Sequence, residues 1–130
     1  MGTSMKVNRY IDINSGGTVV AVPALIENKV QVSVEAGSTQ YIPINIGYNK
    51  YEIRTISVVN DEGNESITSI YDRQTDGDLV YKSLRETSTY DILNVPCQDK
   101  DDTSAVHLFI QNLGSKQAIF TIIIKATNLQ

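Results

Sequence analysis

Along most of this chain apolar and polar residues alternate, the two-residue period of a strand that lays one face on a core. In "NKVQVSVEAGS", Val30, Val32 and Val34 alternate with Lys29, Gln31 and Ser33 before the chain turns at Ala36-Gly37. "TQYIPINIG" sets Ile42, Ile44 and Ile46 on one side. Pro43 has no amide to give to a ladder, which predicts an edge or bulged strand there. "YEIRTISVV" starts with Tyr51 and Ile53 in phase and resumes with Ile56 and Val58; that slip of one residue predicts a β-bulge. "KVNRYIDI" places Val7, Ile11 and Ile13 together, with Arg9 as an awkward fourth member. "SITSIYD", "LVYKSL", "YDILNV" and "AVHLFIQNL" read as further strands, the third of them stopped by Pro96. Between them lie the turns "DEGNE" and "DRQTDGD", the latter with an Asp76-Gly77 pair suited to positive φ, and the polar loop "CQDKDDTS". No segment keeps a helical period, and there is room only for short helical turns near Pro23–Asn28 or Ser83–Thr89. The pattern predicts an all-β fold: a single antiparallel β-sandwich, jelly-roll-like, with about eight to ten short strands.

The closing strand departs from the rule. In "NLGSKQAIFTIIIKA", Ala118, Phe120, Ile122 and Ile124 share one face, yet the opposite face carries Ile119 and Ile123. Either a loop of the same chain covers that second face or a second copy does. Apolar patches left on a protein surface mark interaction sites, and sandwich edges need a cap against uncontrolled pairing. A symmetric homo-oligomer meets both needs, with Ile119 and Ile123 as the leading contacts and Phe109, on the preceding strand, as a third.

The 130 residues suit one domain, long enough for a core without covalent staples. We read Met1 to Ser4, ahead of a second methionine at Met5, as residues added for expression, and 5–130 as the sandwich domain. A lone cysteine, Cys97, rules out an internal disulfide and favours assembly inside a cell. With no basic n-region or apolar h-region at its start, no signal peptide is expected. The longest apolar run, "AIFTIII", is far short of the roughly 18 residues of a membrane span. Eleven Lys and Arg stand against fifteen Asp and Glu, a net charge of −4, and the cations are scattered singly. Nucleic acid and anionic membranes both require clustered positive charge, so neither is expected as a partner.

Candidate chemistry is thin. Cys97 and His107 are the one thiol–imidazole combination, ten positions apart on a loop and a strand with no orienting third group implied. One Cys and one His are too few for a zinc site. Three acidic runs, Asp61/Glu62/Glu65, Asp72/Asp76/Asp78 and Asp99/Asp101/Asp102, are of the carboxylate-rich kind that calcium favours but lack the spacing of an EF-hand; solvated turn chemistry is the preferred reading and calcium the alternative. A glycosidase needs two carboxylates at a set separation, and nothing here picks the pair. No cofactor or metal is expected. Seven tyrosines against two Phe and no Trp admit a ligand-binding face built from Tyr41, Tyr51, Tyr71 and Tyr81, although strands are rich in tyrosine for packing reasons alone. Asn64-Glu65-Ser66 matches a glycosylation sequon and marks its turn as exposed.

Two stretches, "LVYKSLRETSTYDILNVP" and "AVHLFIQNLGSKQAIFTIIIKATNL", look like the end of a viral or phage β-sandwich: a strand enters "HLFIQN", a "GS" turn follows, and a long apolar strand finishes the domain. From Met5 onward the chain resembles small tail-associated proteins of long-tailed phages of Gram-positive bacteria. That resemblance implies a fold akin to the shoulder domain of lactococcal phage receptor-binding proteins, symmetric assembly, and a place in the virion tail, or in the host cytoplasm before assembly. It implies no site residues. Other phage tail proteins or a host-surface glycan are the further partners it suggests, although the chain has no separate fibre stalk or sugar-binding head. The leading expectation is a non-enzymatic structural or accessory protein of the tail or baseplate. The alternative is a carbohydrate-binding or adhesin-like module that reads a cell-wall glycan.

Overall fold

The computed structural model describes Tyr10–Ile11, Val19–Val20 and residues 25–129. The first two pairs form a small antiparallel ladder, β1 (Tyr10–Ile11) with β2 (Val19–Val20). The remainder of the "KVNRYIDI" face and the residues read as added for expression lie outside the described residues.

Eight strands follow: β3 (Leu25–Val34), β4 (Thr39–Asn45), β5 (Lys50–Asn60), β6 (Ser66–Tyr71), β7 (Leu79–Lys82), β8 (Thr89–Gln98), β9 (Ala105–Asn112) and β10 (Ala118–Asn128). They form two four-stranded antiparallel sheets, β3-β10-β5-β8 (sheet I) and β4-β9-β6-β7 (sheet II). Of the seven connections between these eight strands, only β6 to β7 stays within a sheet and the other six pass from one sheet to the other; the strand order is that of a jelly roll. Among the described residues there is no helix; Leu25 to Asn28, where a helical turn had room, is the start of β3.

Alternation decides what lies between the sheets. From sheet I come Val34, Tyr51, Ile53, Ile56, Val58, Phe120, Ile122, Ile124 and Ala126; from sheet II come Ile42, Ile44, Ile70, Val106, Leu108 and Ile110. Each large aliphatic or aromatic side chain hidden in this way contributes about 1.5–3 kcal/mol of transfer free energy. The slip in "YEIRTISVV" is a bulge. The ladder from β5 to β10 shifts between Lys125 and Ala126, and that from β5 to β8 shifts between Ile53 and Thr55. Across from Arg54, Asn94 takes a positive φ of 51° and its side-chain carbonyl accepts from Arg54 Nε at 2.8 Å. Pro43 sits on an edge strand as expected.

Pro96 does not stop β8, which runs through it to Gln98. β8 is the other edge of sheet I, where a missing amide costs no ladder bond. Cys97 is therefore a buried strand residue and not a loop thiol. The sequon turn is also tied down. Asn64 Nδ2 donates to Asn112 Oδ1 (3.2 Å) and to the Lys116 carbonyl (2.8 Å). Gly114 lies so close to this amide that a Cβ there would meet Asn64 Cγ at 2.1 Å.

Candidate functional site

The outer face of sheet II is shaped by two loops. The β6–β7 and β8–β9 loops are clasped together: Lys100 Nζ pairs with Asp72 Oδ2 (2.8 Å), the Lys100 amide donates to the Asp72 carbonyl (2.8 Å), and the Gln74 amide donates to Asp101 Oδ2 (2.8 Å). The Lys100 ammonium beside it, with a bond from the Asp78 amide, holds Asp72 below the usual carboxylate range although burial opposes this. The two acidic runs read separately from the sequence are thus one structure.

Under this clasp lies a buried polar chain. His107 points from β9 to the outer side of sheet II and is 1% exposed. Its Nε2 lies 2.7 Å from Asp99 Oδ1, and its Nδ1 lies 2.7 Å from the Tyr41 hydroxyl on the paired strand β4. With Asp99 ionised, Nε2 carries a proton and a neutral ring accepts from Tyr41 at Nδ1. Asp99 is fully buried. Burial alone would raise its pKa. The bonds from the Ala105 amide, His107, the Thr103 hydroxyl and the Asp101 amide outweigh it and hold the carboxyl well below its ordinary value.

Asp99, His107 and a hydroxyl stand in the order of a hydrolase relay, but the chemistry runs the other way. Burial, then the charges of Asp101 and Asp99, push the Tyr41 phenol up, which is the reverse of what a nucleophile needs. Asp99, Asp101 and His107 also bring three ligand-type atoms within 4.8 Å of one another. Asp99 already receives bonds from Asp101 N, Thr103 N, Thr103 Oγ1, Ala105 N and His107, so its lone pairs are taken up by the protein. The cluster is a satisfied network that fixes a loop and an aromatic ring. Cys97 takes no part in it: its thiol donates to Tyr51 Oη at 3.4 Å inside the core, and burial pushes its pKa up.

Beside this network runs an aromatic row across three strands. Tyr41 packs on Phe109 (centroids 5.1 Å apart, tilted 40°), and Tyr71 meets Phe109 edge-on (5.5 Å, 87°). Two shallow depressions flank the row. One, of about 570 Å³, is lined by residues including Tyr41, Asn45, Gln74, Asp101 and Thr103; the other, of about 410 Å³, by Ser69, Tyr71, Gln74, Lys82, Phe109 and Gln111 among others.

Of the four tyrosines expected on a ligand face, the structure brings Tyr41 and Tyr71 together here. Tyr51 belongs to the core instead, 0% exposed, with its hydroxyl donating to the Ala105 carbonyl. Tyr81 packs against the core's edge and its hydroxyl donates to Asp91 of β8, joining the rims of the two sheets; burial first, and then Asp91, pushes its pKa up. The interface candidates separate as well. Ile119 and Ile123 lie on the outer face of sheet I, whereas Phe109 lies in the aromatic row of sheet II, away from them. Asp99 was missed by sequence reasoning, which saw only an acidic loop. The available signal was an Asp followed at the second and fourth positions by residues whose amides fold back on it, an Asx-type turn.

Sheet I presents the opposite picture. Its outer face carries Ile92 (69% exposed), Tyr90 (66%), Ile119 (47%) and Val59 (45%), with Ile123 half-buried among them. Ladder partners place these as neighbours: Thr121 opposite Val59, Ser57 opposite both Ile123 and Tyr90, Thr55 opposite Ile92.

Fold and faces together define a jelly-roll β-sandwich with one sculpted polar–aromatic face and one face that, among the described residues, exposes several apolar side chains. No protein-family model matches the sequence, and no curated protein matches it either. Among solved structures the chain is similar to a chain of the Bacillus endospore appendages, described as a novel family of disulfide-linked pili (TM-score 0.47, 16% identity, covering 82% of this chain and 91% of that one). It is also similar to a chain of infectious bursal disease virus, Gt strain (TM-score 0.42, 14% identity, 97% of this chain), of which it spans only 36%. These are similarities of outline; the architecture rests on the strand order itself. Among the described residues no helix is long and apolar enough to cross a membrane.

Proposed function

We propose that this chain is a non-enzymatic structural protein of a phage particle, a tail or baseplate component that works as a symmetric homo-oligomer. The observation that carries the reading is the apolar band on the outer face of sheet I. Ile92, Tyr90, Ile119, Val59 and Ile123 are neighbours with no described segment over them. Several large apolar side chains exposed on one sheet face, here interleaved with Thr55, Ser57 and Thr121, are a feature of interaction surfaces. The tail assignment draws on the likeness of "HLFIQNLGSKQAIFTIIIKA" to the closing strands of phage tail sandwiches. Sedimentation of the intact chain at micromolar concentration tests the assembly. The expected result is a defined oligomer that Ile119→Asp splits into folded monomers, since a charge placed in a dry interface has no partner. A wild-type chain that stays monomeric overturns the reading. Mass spectrometry of purified particles tests the tail placement.

A second reading is favoured by the aromatic row. Half-exposed Tyr41, Phe109 and Tyr71, fixed from beneath by the His107–Asp99 network and rimmed by amides and carboxylates, suit a neutral saccharide. On an array of cell-wall glycans, Tyr71→Ala should abolish any signal. Retention of full binding by that variant ends this reading.

A further inference from the structure

Each sandwich sheet has two edges, and edges invite pairing unless something blunts them. Three of the four carry such a device. β4 contains Pro43; β8 contains the Asn94 bulge and Pro96; β7 has only four residues and is irregular against β6. β3 has neither proline nor bulge nor a described segment paired on its outer side: it runs ten residues, Leu25–Val34, in unbroken register with β10, and Glu27 and Lys29, of opposite sign, are its charged side chains.

The direction of its backbone groups follows from its neighbour. The Asp61 amide donates to the Ile119 carbonyl (3.2 Å), and the Ile119 amide donates to Asp61 Oδ1 (2.9 Å), so the polar groups of Ile119 turn toward β5. Backbone groups alternate along a strand, so Phe120, Ile122 and Ile124 turn toward β3, where they meet Val32, Val30 and Asn28. Leu25, Glu27, Lys29, Gln31 and Ser33 are then the residues whose amides and carbonyls face the open side. Next to them, Asn28 Nδ2 is buried and has no hydrogen-bond partner. An orphaned buried amide of this kind costs about 1–3 kcal/mol.

We infer that β3 pairs antiparallel with β3 of a second copy about a two-fold axis at Asn28, joining two sheets I into one continuous sheet. This rests on the self-association reading above and assigns it a further contact. Two independent features select the same register. With the axis at residue 28, Glu27 stands opposite the partner's Lys29, and Leu25 opposite the partner's Gln31. All of these are positions that present backbone groups outward. A shift of the axis by one residue sets lysine against lysine or glutamate against glutamate, which is unfavourable across a ladder. At the axis, Asn28 meets the partner's Asn28 as a non-hydrogen-bonded pair, the closer kind, with Cα atoms about 4.5 Å apart. A turn of each Asn28 side chain out toward the axis lets its Nδ2 donate to the other's Oδ1, and the amide that is orphaned in the lone protomer is satisfied.

The test uses the full chain. Asn28→Cys places two thiols across the axis within disulfide reach, and a mild oxidant that removes their two electrons and two protons should give a covalent dimer on a non-reducing gel. Wild-type protein, with Cys97 buried, should give none. Lys29→Pro removes an outward amide without touching the β10 ladder, so it should keep its melting curve and weaken association at least about tenfold. Glu27→Lys should weaken association, and Glu27→Lys with Lys29→Glu should restore it. An oligomer that survives Lys29→Pro and forms no cross-link through Asn28→Cys overturns the strand pairing and leaves self-association standing. A wild-type chain that never associates overturns both.

Discussion

The two outward faces of this sandwich start from the same sequence rule and end in opposite states. On sheet II, outward positions of β4, β6 and β9 are covered at one end by the clasped β6–β7 and β8–β9 loops, and His107 there is as buried as the core. On sheet I, outward positions of β5, β8 and β10 hold isoleucine, valine and tyrosine among Thr55, Ser57, Thr121 and Lys125, with no described segment above them. Polarity along a strand therefore does not tell which face meets water. A histidine lies under a roof and isoleucines lie in the open, because the roof comes from loops fixed by their own hydrogen bonds. Burial without assembly marks the first face as structure that shapes a surface. Exposure of apolar groups on the second is the feature on which the proposed self-association rests.

The largest effect that tests this contrast is removal of the roof's anchor. Asp99→Ala deletes the acceptor for four backbone and side-chain donors and leaves His107 buried without its carboxylate. The expected loss is about 3–5 kcal/mol in urea unfolding. Acid should reproduce part of it. The folded pKa of Asp99 is depressed, so its contribution is fully present above the ordinary carboxylate value of about 4 and is lost as pH falls below that toward the folded value. Unfolding midpoints followed downward from pH 6 should fall more steeply for the wild type than for Asp99→Asn at the acid end. Equal slopes would mean that the roof does not depend on this carboxylate.

How much of this was legible depends on distance along the chain. The period-two pattern predicted the strands, the Arg54 bulge and the edge position of β4, since each is set by neighbouring residues. Pro96 misled because its effect depends on whether its strand is central or at an edge, which is a property of the whole sheet. Tyr51 and Tyr41 are the same residue type in similar strands. Only the phase relative to the core sends one inward to Ala105 and the other outward to His107. The Asp99 network joins residues up to 66 positions apart, and no local pattern announces that convergence.

A smaller effect probes the platform without lifting the roof. Tyr41→Phe keeps the ring against Phe109 and removes one hydroxyl, leaving His107 Nδ1 buried with a lost partner. The expected cost is about 1–2 kcal/mol in thermal unfolding. The loop clasp, which does not involve Tyr41, should keep its amide protection in hydrogen exchange. Loss of that protection would show that roof and platform are one unit and would blur the distinction between anchor and surface.

The smallest effect on stability, and the one that bears most directly on function, belongs to the bare face. Ile92 stands well out of β8, opposite Thr55, where its side chain has little core to lose. Ile92→Ser should therefore change the stability of a protomer by less than about 0.5 kcal/mol. In a monomeric protein nothing else would change. If the outer face of sheet I is where copies meet, the same substitution removes apolar area that only the assembly buries, and the dissociation constant should rise while the unfolding curve, measured below that constant, stays put. Concentration-dependent sedimentation of the variant and the wild type separates the two quantities. A variant that unfolds more easily but associates as before would place Ile92 in the work of folding and take it out of the interface, and the contrast between the two faces would then lose its functional meaning.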